Sequence, residues 1–258
     1  NARWAIIIFA QNILFEKMSE ISLTPLAALE GALRTWAAES ARPAHLAQLP
    51  EKATADAWLK ENDEAALRAA LPTVLDGPQC VCLLANLAFL IGSRKNRDGR
   101  ELVEDLGEEL MVERSDVRDL LRALDSLTEK DTFRKDEDRT TASAVLLLLS
   151  AVDGKECDTE QAFIREFAGS EEALSAARAI VSEQDEASIL KSAPNLPSRA
   201  RRQLAGILFQ LMFSDGQWSG EEQSLLDQAA DKLYVSRSDL EDLLRATHAM
   251  HNLTVFEP

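Results

Sequence analysis

Apolar residues recur along most of this chain at intervals of three and four, the spacing that gathers them on one face of an α-helix. Trp4, Ile7, Ile8, Leu14, Phe15 and Met18 keep that interval while Ile6, Phe9 and Ile13 fill the opposite side. The first stretch therefore reads as a helix buried all round. Thr24-Pro25 opens a second helix with proline in its first turn, where the missing N–H costs nothing. Leu26, Leu29, Leu33 and Trp36 form its stripe. Residues 40–55, with Pro43 and Pro50, read as a loop. The same periodicity predicts helices over 65–75, 79–92, 101–111, 115–124, 142–152, 160–167, 171–181, 203–213, 221–233 and 238–250.

The expected fold class is all-α, and its units repeat. Residues 110–123, LMVERSDVRDLLRA, match residues 233–246, LYVSRSDLEDLLRA, at ten of fourteen positions, an offset of 123. Amphipathic helices align their leucines by chance, but not a whole Arg-Ser-Asp turn together with Asp-Leu-Leu-Arg-Ala. A shorter period of 62 sets residues 144–163 beside 206–225. Both carry Asp-Gly, five spacer residues and Glu-Gln. Between the copies, residues 128–140 hold nine charged residues in thirteen positions, too little apolar surface to bury, which marks a linker. The expected architecture is two tandem helical-bundle domains, 1–127 and 141–258, each of two related helix–turn–helix halves, joined by the charged linker 128–140.

A helix ending in an Asp-Gly turn, an acid seven residues after the Asp, and a Leu-rich helix, used twice about sixty residues apart, resembles the TerB (tellurite-resistance B) family. Phe213-Ser214-Asp215-Gly216, with Glu221-Glu222 and Leu225-Leu226, is close to that family's pattern. The resemblance covers residues 140–250 well, 79–125 in part, and the first 75 only by position in the repeat. It implies an all-helical fold, no enzymatic activity, a cation site of acidic side chains, and a role in bacterial stress or defence assemblies.

Composition narrows the partners. The formal net charge of −16 repels phosphate backbones and argues against nucleic acid. Two basic clusters, Arg94, Lys95, Arg97 and Arg100, then Arg199, Arg201 and Arg202, read as solvated loops or helix ends. The balance favours cations or protein partners. Three cysteines, Cys80, Cys82 and Cys157, form no disulfide framework and indicate a reducing, cytoplasmic setting. The run from Trp4 to Phe15 is interrupted by Gln11 and Asn12 and is too short to span a bilayer, so no membrane crossing is expected through this segment. A chain opening on Asn1-Ala2 is expected to be an excised piece of a longer protein. Oligomeric state has no signature here.

The candidate site is the Asp-Gly corner, with two accounts. In the first it is a helix–turn–helix corner: Gly154 and Gly216 cap helices, and Ser219 with Glu222, or Asp158 with Gln161, begin the next ones. In the second it binds a divalent cation, Ca2+, Mg2+ or Zn2+, through Asp153, Glu160, Asp215 and Glu222. Asp153 and Asp215 sit at predicted helix C-termini, where the macrodipole disfavours an acid by about 0.3–1 kcal/mol, so something must compensate them. Glycine directly after the first Asp excludes an EF-hand. The equivalent turn in the first repeat, Gly92-Ser93-Arg94-Lys95 with Asp98 alone, has lost the acids, and no ion is expected there. His248 and His251 read as a surface pair, Cys80 and Cys82 as buried, and Trp218 as packed over its corner. Three histidines and no Gly-rich phosphate loop suggest no catalytic triad. The functional expectation is a non-enzymatic scaffold. The alternatives are a metal-dependent hydrolase using the same carboxylates, which needs the two corners to converge, or a peptide-binding solenoid.

Overall fold

The computed structural model describes residues 22–37, 40–47, 49–129, 132–151, 158–213, 227–228 and 230–256. Among them the chain is helical and contains no strand, as the periodicity requires. The helix predicted over residues 4–18 lies outside the described residues.

In the N-terminal part, α1 (Pro25–Trp36) begins where Thr24 accepts a hydrogen bond from the Ala27 amide and proline fills the first turn. Its buried face includes Leu29 and Leu33 and also Glu30, whose side chain is fully buried. That carboxylate is held by two guanidiniums, Arg34 on the same helix and Arg42 at 2.7 Å, and Arg34 also pairs with Asp56. A buried charge persists because it is paired in this way. The stretch read as a loop instead contains α2 (Ala44–Ala47) and the start of α3 (Lys52–Glu61), and α4 (Glu64–Val74) follows. Helices α3 and α4 both pack on α1.

The centre is built from the 123-residue repeat. Helix α5 (Gly77–Ile91) starts with a capping box between Asp76 and Gln79, α6 (Arg97–Glu109) follows, and α7 (Arg114–Thr128) closes the unit. Helix α7 and the last α-helix, Arg237–His251, begin and end at the same offset of 123. Between them, among the described residues, come α8 (Asp136–Ser150), α9 (Asp158–Ala168), α10 (Glu171–Glu183), α11 (Glu186–Ser192) and α12 (Ser198–Met212), with further helical residues at 230–233; Arg237–His251 is labelled α13. Helices α8 and α12 start and finish 62 residues apart, so the shorter period is also real in the backbone.

Within each unit α5 packs on α7, and α12 on α13. Between units α7 meets α13, α13 meets α5, and α7 meets α12, the reciprocal pattern of a two-fold relation. The Arg122 guanidinium donates to Asp242 at 2.7 Å across this contact. One apolar cluster joins Leu87, Leu121 and Leu124 to Leu146, Leu208 and Leu243. The packing therefore crosses the expected boundary, and two separate cores are not what the helices form. The charged run 128–140 is also not an open linker. Phe133 is buried edge-on against Phe167, and Asp136, Glu137 and Asp138 occupy the first turn of α8, where negative charge suits the helix dipole.

Gly206 marks the closest approach. A Cβ there would collide with the Leu127 side chain and crowd Leu243 at 3.1 Å, so the present packing of α12 on α7 and α13 uses the space this absent side chain leaves. Gly206→Ala is expected to lower unfolding stability by about 1–3 kcal/mol, against a gain in helix propensity of about 1 kcal/mol at a site without crowding. Urea denaturation of the two chains measures it.

Candidate functional site

Of the four predicted cation ligands, Asp153, Asp215 and Glu222 lie outside the described residues. Glu160 is described. It sits in the first turn of α9, 5% exposed, and accepts a hydrogen bond from Ser150 Oγ at 3.0 Å. Ser150 is the last residue of α8, so this carboxylate is held against the helix end that leads toward Asp153. Among the described residues no group of three or more His, Cys, Asp or Glu could hold a metal ion. Gly154, Cys157, Gly216, Trp218 and Ser219 also fall outside the described residues.

The first-repeat corner is described throughout. Its missing acids are matched by an internal cation. Arg100 Nη1 donates to the Gly92 carbonyl at 3.0 Å, just past the C-terminus of α5, and to Asp125 at 2.9 Å. Arg94 adds its backbone amide and its Nε to the same carboxylate, at 2.8 and 3.0 Å. A guanidinium at a helix C-terminus compensates the negative end of the dipole. Arg97 pairs with Glu101, Arg199 with Glu129, Arg202 with Asp239, and Arg201 donates to the Leu233 carbonyl. Six of the seven arginines and lysines in the two basic clusters are thus bound within the molecule rather than displayed as a phosphate-binding patch.

The histidines are arranged differently from the expected surface pair. All three converge, although His45 lies some two hundred residues from the others. The rings of His45 and His251 stand 4.2 Å apart, and Phe213 stacks on His251 at 6.0 Å and meets His248 edge-on at 5.6 Å. His248 is exposed, while His45 and His251 are half-buried. Asn86, fully buried on α5, orders the group. Its Nδ2 donates to the Met250 and Cys82 carbonyls, both at 3.0 Å, so its Oδ1 faces His45 Nε2 at 3.0 Å. His45 Nε2 must then carry the proton, leaving the lone pair on Nδ1. Burial pulls the His45 imidazole below its ordinary value. Burial, with His45 and His248 adding repulsion, pulls His251 down to about 3. Cys80 and Cys82 are buried as expected, and burial pushes the Cys82 thiol up to about 12.

Beside the histidines lies a cavity of about 810 Å³, walled by α2 and the residues before it, α5, the end of α7 and the segment after it, the start of α8, α9, α12 and α13. It sits between the two repeat units. Phe89, Phe133, Phe163 and Phe167 line it, with Gln203 on α12 at the wall. Gln203 Nε2 donates to the Leu127 and Glu129 carbonyls at 3.0 and 3.2 Å, while its buried Oε1 receives no hydrogen bond from the protein. Nothing local in the sequence signals this cavity, because its lining comes from six separated segments.

A histidine whose folded pKa is depressed binds fewer protons than the unfolded chain does below its ordinary value of about 6.5. Stability present above that pH is therefore lost as pH falls from about 6.5 toward 3, at no more than about 1.4 kcal/mol per pH unit for one proton. His251→Phe is expected to show a shallower loss than the parent over pH 6.5–4 in urea unfolding, and parallel curves would remove His251 as a cause.

No family model, curated protein or solved structure matches the chain.

Proposed function

We propose that this chain is a non-enzymatic helical scaffold of the TerB-like kind, acting through protein partners in the bacterial cytoplasm under stress or in defence. One observation carries the reading. Met111 and Tyr234 occupy equivalent positions of the 123-residue repeat, each just before the last helix of its unit. They are 92% and 73% exposed, and both have positive φ, 58° and 49°. Left-handed backbone costs an L side chain about 1–2 kcal/mol, and glycine is the usual occupant of such a position past a helix end. Tyr234 carries the Arg201 guanidinium 6.0 Å from its ring, a contact that leaves most of its surface in water. Internal packing gives little reason to keep a large apolar side chain at both strained sites, whereas contact with a partner gives one.

A divalent cation at Asp153, Glu160, Asp215 and Glu222 is the second reading, and the first-repeat corner favours it. There, Arg94 and Arg100 supply positive charge beside a helix C-terminus. At the offset of 123 the second repeat carries Gln217 and Gln223 in their places, with Asp215, Glu221 and Glu222 nearby. Positive charge at that corner has to come from elsewhere, and a cation supplies it.

Two experiments test these readings. Affinity capture from the source cell should yield a partner that Met111→Ser with Tyr234→Ser loses while helicity and melting temperature hold. Equal capture by the double variant contradicts the surface. Titration calorimetry with calcium, magnesium, manganese and zinc should give heat for at least one ion, abolished by Asp215→Ala. Heat that is absent for all four, or unchanged in the variant, returns the corner to a plain helical turn.

A further inference from the structure

We infer that the Met111 turn of one copy of this chain docks on the Tyr234 turn of a second copy, so that the chain associates with itself head to tail. The inference rests on the reading of Met111 and Tyr234 as a contact surface and names the occupant of that surface. Both side chains are presented on a fixed backbone. The Val112 amide donates to the Gly107 carbonyl at 2.9 Å and the Tyr234 amide to the Asp231 carbonyl at 3.3 Å, which closes each helix end and leaves its left-handed residue in solvent. Little backbone freedom is then left to lose on contact. A methionine sulfur beside a tyrosine ring is a favourable pairing, and tyrosine is a common anchor of interfaces.

Charge chooses which turn meets which. The repeat keeps the backbone of the turn and changes its sign. Within five residues of Met111 stand four exposed carboxylates, Glu108, Glu109, Glu113 and Asp116, and one exposed guanidinium, Arg114. Arg68 adds a second guanidinium, paired with Glu109 at 2.8 Å. Within five residues of Tyr234 stand two carboxylates, Asp231 and Asp239, and two cations, Lys232 and Arg237. Arg201 adds a guanidinium 6.0 Å from the Tyr234 ring, and Arg202 adds another on Asp239 at 3.0 Å. Carboxylates thus outnumber cations by two at the first turn, and cations outnumber carboxylates by two at the second. At the offset of 123, Glu109 corresponds to Lys232 and Glu113 to Ser236. Docking like on like would set charges of one sign against each other, whereas Met111 on Tyr234 matches them. A foreign partner would have to carry both complements, and a second copy already does. The formal net charge of −16 opposes contact elsewhere, but salt at about 0.15 M cuts its reach to about 8 Å, so the matched turns decide. Head-to-tail contact leaves one free turn at each end, and association continues past two chains.

Sedimentation equilibrium of the purified chain in salt at about 0.15 M tests this. The average mass is expected to rise with concentration past that of two chains by about 1 mM, the weak end of specific binding. Met111→Ser and Tyr234→Ser chains should each stay monomeric alone. Mixed, they should form one-to-one pairs and nothing larger, because each keeps the turn the other lacks. Glycine at either position suits the left-handed backbone and should act as serine does. Lys232→Glu should weaken association of the otherwise unaltered chain about tenfold. An unaltered chain that stays monomeric, a serine variant that associates alone, a mixture that does not pair, or an ineffective Lys232→Glu overturns the proposal. A monomeric chain that still captures a foreign partner through Met111 and Tyr234 overturns this occupant and leaves the contact surface standing.

Discussion

The close approach of α12 to α7 and α13, permitted by the bare Cα of Gly206, is the constraint on which the rest of the molecule depends. Helices interlock more closely where one gives up its side chain, and the gain is apolar contact at the crossing. Through that contact α7 and α13, copies of one another at an offset of 123, bury Leu121, Leu124 and Leu243 in a common core. The repeat is thus used for self-recognition. Each unit offers its partner unit the surface it would otherwise have to cover with something else, much as two subunits do in a two-fold dimer.

The candidate sites follow from that arrangement. Because the units meet through α5, α7, α12 and α13, the segments that flank them, α2, the stretch after α7, and α9, are left to wall a cavity at the seam. Asn86 sits at this seam and bonds three elements at once: its own helix, α13 and α2. A fully buried carboxamide with donors and acceptor all engaged fixes the register of those elements, which leucines alone would leave loosely specified. It also sets the tautomer of His45. The helix-end corners show a separate logic. In the first repeat, Arg94 and Arg100 close on Asp125 and on the Gly92 carbonyl, so the dipole end is compensated from within.

The helices were largely legible in the sequence, since Leu29, Leu33, Leu84, Ala88, Leu204 and Leu208 all keep the helical interval and all are buried. The repeat was legible from fourteen aligned residues, and the helix boundaries repeat with it. What misled was charge. Asp136, Glu137 and Asp138 look like solvated linker in a list of residues, yet three acids are what the positive end of α8 favours. Helices α3 and α11 were missed because Lys52–Glu61 buries only Ala55 and Glu186–Ser192 is under two turns long, too little for a periodic signal. The histidine cluster and the cavity were invisible for a different reason. His45 meets His251, and Gln203 meets Leu127, only after the two units have docked, and no local pattern encodes a contact at that separation.

A single core shared by both units is the central claim, and scanning calorimetry of the intact chain tests it most directly. The account predicts one thermal transition whose calorimetric enthalpy equals the van't Hoff enthalpy, because neither unit can lose its partner surface and stay folded. Two resolved transitions, each melting independently of the other, would contradict it.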